Sequence, residues 1–523
     1  AQGAEMLGRI DDAERAFRNA AAAAPLDIGI STARAEFLMR TGRTDVARQV
    51  LRDILACADD NAAARGMKAW ARRRLAELTA ERGTYAKLCE AVALLDANAG
   101  SDGRLNAEDA AVKITLLASR PEPESWRQAI EVLERLRKQQ PLTISQRLVL
   151  AGLLDQVGRW EESRQELMSV VSAPKTPPDF IALLADKLIT HGEFGNARAW
   201  VERLQVVAPK APVTIGLAAR LAVAEKNRAR AAELAKQLMP GDDVPADQIG
   251  QLAWLAQLME ELEFPKEADA VLAKYAARSV DGLVARAQFL GKQRRTDEAF
   301  DVLESAWGRM PVERLLATAI DALRSNPQAE AAAARLERWI AKARREDPDS
   351  IGIPLAEADL LGIQERGAEV ESRYRDLLGR KGLDPVQVAI VSNNLAVHLA
   401  EPRTAAEARK LVDAAIVTLG PHPDLLDTRG MVLLAQGASR EAVTDLEQAI
   451  LQPSDVKFLH LAYACLQTGD KAAAREALER GRKKGLSAAR LTAADRSRLR
   501  ELEAALGVAP EQAGPGEVDA GRG

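Results

Sequence analysis

A glycine, an alanine and two apolar residues return at a fixed interval of 34 positions, with nothing inserted between the copies. Gly8, Ala13, Phe17 and Ala20 are followed by Gly42, Ala47, Leu51 and Ile54. Gly158, Ser163, Leu167 and Val170 are followed in the same way by Gly192, Ala197, Val201 and Leu204. A period of this length means stacked copies of one small unit, none of which can bury its apolar face alone. The composition says which kind of unit. Aromatic residues make up only 4% of the 523 residues, Ala and Leu supply most of the apolar 47%, and β-branched runs of alternating polarity are nearly absent. Small and straight-chain apolar residues lose little entropy in a helix and let helices approach closely, so the unit is helical and sheets are not expected.

The clearest copies lie near the C-terminus. Leu426, Gly430, Leu433, Gly437, Ala442, Leu446, Ala449 and Pro453 fall on one helix hairpin, and Ala462, Cys465, Gly469, Ala474, Leu478 and Gly481 repeat the pattern 32 residues on. Gly430 or Ala462 is expected where the second helix crosses the first, with Ala442 or Ala474 as its small partner. Gly437 and Gly469 are expected at the turn in the left-handed conformation. Leu446 and Leu478 are expected to fill the gap to the next hairpin. Pro25, Pro141, Pro209, Pro240, Pro311, Pro421 and Pro453 close second helices, which a proline cannot continue.

This pattern resembles the tetratricopeptide repeat, a helix–turn–helix unit of 34 residues, in a divergent, bacterial-looking, many-repeat form. The small residue at the crossing, the Gly at the turn, the Ala on the second helix and the closing Pro all match, and the second-helix aromatic is kept at Phe17 and Tyr374. The resemblance implies an all-α, right-handed superhelical α-solenoid of about thirteen hairpins whose first helices line a concave groove. The expected boundaries are a partial leading repeat over 1–27, arrays over 28–241 and 247–487, a capping helix over 488–507 and a disordered tail over 508–523. Thr492 and Asp495 open the capping helix, Leu499, Leu502 and Leu506 form its apolar stripe, and Gly507 ends it. The basic helix from Ala64 to Leu78 is expected to be about two turns longer than its counterparts. The stretches Asn98–Asn106, Ala173–Pro178 and Pro240–Pro245 carry loop signals.

Motifs for chemistry are missing. The chain has no phosphate loop, no dinucleotide fingerprint, no HExxH and no GxSxG, and only four histidines. The reading is therefore a chain that is not an enzyme and takes no cofactor and no metal. His460 and Cys465, five positions apart, point to different helix faces and are read as a partly exposed histidine and a core thiol. Cys57 and Cys89 are read as buried thiols too. Charged residues on helix faces are read as solvated or paired within their own helix. Lys68, Arg72, Arg73 and Arg74, with Trp70, form one local basic patch in a chain of net charge −4. Nucleic acid would demand a basic stripe through many repeats, so none is expected as a partner. No apolar run reaches the ~18–20 residues needed to cross a bilayer.

The resemblance implies a protein or peptide segment as partner, held along the first helices. The residues expected to meet it are Trp254, Asn393, Asn394, His460 and Tyr463, since aromatic anchors are common hot spots. Two ligand modes of the family fit poorly: Leu355, Asp359, Asp424 and Thr428 flank the Asn393 repeat where a carboxylate clamp needs Lys and Asn, and Ala33, Val149 and Leu183 stand where an Asn ladder would run. The expected function is a scaffold or adaptor. The alternatives are the periplasmic arm of an exopolysaccharide-export or secretion apparatus, and the recruiting arm of an enzyme with an upstream catalytic domain. Ala1 stands where Met would begin a chain and Gly8 is already in mid-repeat, so a piece of a longer or processed protein is expected, cytoplasmic or periplasmic.

Overall fold

The computed structural model describes residues 1–24, 27–58, 61–81, 83–172, 176–241, 244–488 and 491–509. Among these residues the regular elements are all helices, and no strand occurs. The helices alternate as hairpins: Ile28–Arg40 with Thr44–Ala56, Ala62–Ala80 with Tyr85–Asp96, Ala107–Ala118 with Pro123–Gln139, and so on to Asp455–Gln467 with Lys471–Lys483. Thirteen such pairs follow a leading pair, Gln2–Met6 and Ile10–Ala23, and the single helix Ala493–Leu506 closes the series. The chain is an all-α solenoid. The tail expected to be disordered lies outside the described residues from position 510, as do Pro25 and parts of the two loops at 173–178 and 240–245.

By its internal packing the chain divides into two compact units. The first is Ala1–Ser163 with Asp413–Leu425; the second is Arg164–Val412 with the described residues from Leu426 onward. In the first unit Ala13, Phe17, Phe37, Leu38, Ala47 and Leu51 form a continuous core, with the Phe17 and Phe37 rings 5.2 Å apart. Within that unit the Arg120 guanidinium donates to the Leu419 carbonyl at 3.2 Å and pairs with Glu122, which has no exposed surface. In the second unit Trp339 stacks on Phe300 at 5.2 Å and takes Trp307 edge-on at 6.0 Å.

Helix starts follow their capping chemistry. Asp27, Asn61, Thr84, Asn106, Thr143, Ser279, Asp384 and Ser454 each accept the N–H three residues on. Pro123, Pro178, Pro212, Pro265 and Pro385 occupy the first turn, where the missing N–H has no intrahelical partner to lose. Proline thus opens helices here as well as closing them.

Most hairpins turn with one geometry but not one residue. Gly42, Gly158, Gly192, Gly437 and Gly469 are left-handed there, as the sequence leads one to expect. Lys226, Glu263, Arg294 and Glu365 hold the same place with φ between 58° and 62°. The hydrogen bonds coincide: Gly192 N–H reaches Ile189 O and Glu193 N–H reaches Leu188 O, while Lys226 N–H reaches Val223 O and Asn227 N–H reaches Ala222 O. This is the closing motif of a helix end, and the repeat keeps it at the cost of left-handed strain where Gly is absent.

The crossing differs in detail from expectation. Ala442, Ala462 and Ala474 are fully buried, but the space beside Gly430 is taken by Leu446, whose Cγ would lie 2.6 Å from a Cβ at that position. The basic helix Ala62–Ala80 has 19 residues against 13 in Thr44–Ala56. Its arginines bind the segment that follows. Arg72 donates to Asn98 at 3.0 Å, Asn98 donates to Ala69 O at 2.9 Å, and Arg73 donates to Asp109, which is completely buried, at 2.7 Å. The basic helix thus holds the 97–109 segment through Ala69, Arg72 and Arg73.

Candidate functional site: the first-helix face

Each first helix buries one side in the array and leaves the opposite side open. In the second unit, Leu183 on Pro178–Thr190, Val213 on Pro212–Ala224 and Trp254 on Ile249–Glu261 stay between 36% and 39% exposed. Apolar side chains on three consecutive first helices therefore face solvent. Gly216 makes this possible for Trp254: a Cβ there would lie 3.1 Å from the indole Cζ2, so the ring rests edge-on over bare backbone.

Further along, the same face turns polar. Arg324 donates to Asp359 at 2.7 Å and approaches Asp321 at 3.4 Å. Burial pushes the Asp359 carboxyl up; Arg324 opposes this, and the Asp321 charge adds to it. Tyr374 is buried and hydrogen-bonded to Asn394, and burial, reinforced by the Asp359 charge, raises its phenol well above the usual range. Asn393 is half-buried, and its Oδ1 has no hydrogen-bond partner among the described residues. Asp321 and Arg324, on Val312–Arg324, meet Asp359 of the next first helix, and this contact between hairpins escaped the sequence reading; the matching positions of Asp359 and Asn394, each four residues before the end of its helix, are the signal that links those two.

The last two expected positions behave differently. His460 is buried, not partly exposed: its Nδ1 lies 2.9 Å from Asp427 and its Nε2 3.2 Å from Asp495 of the closing helix. Burial alone would lower its pKa, but the two carboxylates outweigh it and push it up to about 10. The ring is an imidazolium with both N–H groups donating. Asp495 is held far below the ordinary carboxylate range, its burial outweighed by His460 and Arg498. Thr492 caps Asp495 N–H as expected, but the Asp495 side chain serves His460 instead of completing a capping box. Tyr463 is half-buried and donates its hydroxyl to Glu501 at 3.1 Å, so the closing helix already engages both residues. The five expected residues thus lie on three first helices, and the structure does not gather them into one site.

Other expectations change in the same way. Cys465 is buried, and burial pushes its thiol up to about 11, but Cys89 is exposed and Cys57 only half-buried. Charged residues on helix faces are not merely solvated: Arg314–Asp281, Arg335–Asp301, Arg375–Glu407 and Arg198–Glu225 all reach across to the neighbouring hairpin. Among the described residues no group of three or more His, Cys, Asp or Glu stands in metal-binding proximity, and no helix is long and apolar enough to cross a membrane.

Hairpin after hairpin, at a spacing near 34 residues and with a recurring turn geometry, defines the class as an α-solenoid of helical repeats. The family model described as tetratricopeptide repeat matches residues 6–83, which places that stretch among repeats of this type. No curated protein sequence matches the chain. Among solved structures, the chain is similar to a tetratricopeptide repeat protein from Parabacteroides merdae, with 16% identity, a TM-score of 0.33, and coverage of 52% of this chain and 98% of that one. It is similar to the APC/C hetero-tetramer Cut9–Hcn1, with 12% identity, a TM-score of 0.33 and coverage of 90% of this chain and 92% of that one. It is also similar to yeast Tom70, with 14% identity, a TM-score of 0.38 and coverage of 84% and 96%.

Proposed function

We propose that this protein is a non-enzymatic scaffold that binds a segment of another protein along the first-helix face of its second unit. The observation that carries the reading is Trp254, a large aromatic side chain left substantially exposed beside Leu183 and Val213 on consecutive helices. A preformed face of packed helices does not have to order itself on binding, which lowers the cost of association. A partner segment places an apolar side chain against the Trp254 indole and continues toward the Asp321–Arg324–Asp359 group. The basic patch does not favour nucleic acid, since Arg72, Arg73 and Arg74 are engaged by Asn98, Asp109 and Glu77.

The test is affinity capture from source-cell lysate with the full chain and with Trp254→Ala. The expected result is a protein recovered in stoichiometric amount with the native chain, at least about tenfold weaker with the variant, since truncating a hot-spot aromatic costs ≥ ~2 kcal/mol. Equal capture by both chains, or stoichiometric RNA in place of protein, overturns the reading.

A further inference from the structure

The segment between the helices Tyr85–Asp96 and Ala107–Ala118 is an insertion where most hairpins are joined by short turns. It is built, not loose: Gly103 is left-handed at φ 72°, Gly100 N–H reaches Arg104 O at 2.9 Å, and Arg104 N–H reaches Asp102 Oδ1 at 3.0 Å. Together with Ala107–Ala118 and Pro123–Gln139 it encloses a cavity of about 360 Å³ in the first unit. Insertions in repeat arrays map to loops on one face, which is often the binding face.

Four cations line this cavity, Arg104, Lys113, Arg135 and Lys138, against two carboxylates, Asp96 and Asp102. The lining therefore carries an excess of two positive charges, four less two. Both carboxylates are already engaged, Asp96 by Lys113 at 2.6 Å and Asp102 by Arg104 at 3.4 Å. Among the described residues Arg135 pairs only with the exposed Glu131 one turn away at 3.3 Å, a contact that holds it weakly. Lys138 stands in the last turn of its helix, where it complements the dipole, and its ammonium has no ion-pair partner among the described residues. Below this rim, Val132 and Leu136 are buried and form an apolar floor. A few convergent cations above an apolar floor in a concave site match a ligand with a charged head and an apolar body.

We propose that this cavity binds an oxyanion, a carboxylate or a phosphoryl group, carried on a short apolar stem. It uses none of the residues of the first-helix face in the second unit, so its failure leaves the scaffold reading intact. The experiment is calorimetric titration of the full chain at low salt with phenylacetate, with phenyl phosphate and with neutral benzyl alcohol. The expected result is saturable binding of at least one of the two anions at one site, weakened by salt and absent for benzyl alcohol. Phenylacetate alone assigns a carboxylate source and phenyl phosphate alone a phosphoryl source. The double variant Arg104→Glu with Lys138→Glu changes two exposed side chains and is expected to keep its helix content while losing about tenfold or more in affinity. Should that variant fold poorly, Lys138→Met serves as the milder substitute, with the same direction of change. No binding of either anion up to about 10 mM, equal binding of benzyl alcohol, or unchanged affinity in a folded variant overturns the proposal.

Discussion

At the residue scale the His460 imidazolium sets a pH dependence. Its pKa stands at about 10 in the folded chain against 6.5 for the free side chain, so its contribution is complete below pH 6.5 and is lost as pH rises through about 10. Hydrogen exchange of the closing helix Ala493–Leu506 is expected to lose protection over that window. His460→Gln is expected to remove this pH dependence and to cost about 3 kcal/mol at neutral pH, because the buried Asp495 and the half-buried Asp427 would lose their shared cation. Retained pH dependence in the variant would show that another group carries it. The left-handed turn residues give the opposite sign. Lys226→Gly and Arg294→Gly relieve about 1–2 kcal/mol of strain and add back part of it as unfolded-state entropy, so each is expected to stabilise by roughly 0.5–1 kcal/mol in chemical denaturation. No sequence pattern marks these positions, since Lys and Arg at a turn look like any solvated surface residue.

At the scale of elements, helix contacts decide which small residues matter. Gly291 lies where a Cβ would come within 2.7 Å of the Ala322 Cα on the next first helix, so backbone, not a flexible side chain, blocks it. Gly291→Ala is expected to separate Val280–Lys292 from Val312–Arg324 and to cost about 1–3 kcal/mol, read as a lower denaturation midpoint. Ala442→Leu or Ala474→Leu overpacks the crossing within a hairpin by a similar amount, about 1–3 kcal/mol. Arg73→Ala leaves Asp109 fully buried beside no cation, and a loss of about 3–5 kcal/mol is expected together with mobility of the 97–109 segment. Much of the element level was legible beforehand. The hairpin spacing, the glycine turns at Gly437 and Gly469, the long basic helix and the Gly507 stop at φ 62° all follow from local chemistry. The purpose of the basic helix was not, because Arg72 and Arg73 find Asn98 and Asp109 only after the chain has turned back.

For the whole molecule, stability is close to a sum of hairpin terms and nearest-neighbour terms, so unfolding is expected to be broad and multi-step. Removing residues from Ala493 onward uncovers the surface that Leu499, Leu502 and Leu506 bury against Leu461, Ala464 and Ala477. Increased binding of a hydrophobic dye and concentration-dependent self-association are the expected signs, measured by fluorescence and light scattering; unchanged behaviour would mean the closing helix contributes little to the core. The candidate site was only partly readable at this scale. Trp254 announced itself as a first-helix aromatic, whereas the pairing of Asp321 and Asp359 through Arg324 joins separate hairpins. The amino-acid order alone determined the helical unit, its period and its turns, because those depend on side-chain size and backbone freedom within a few dozen residues. The tertiary structure alone decided which charges are neutralised, which glycines touch backbone and that His460 is a buried cation, because each of these depends on groups brought together from hairpins that are not local in the chain.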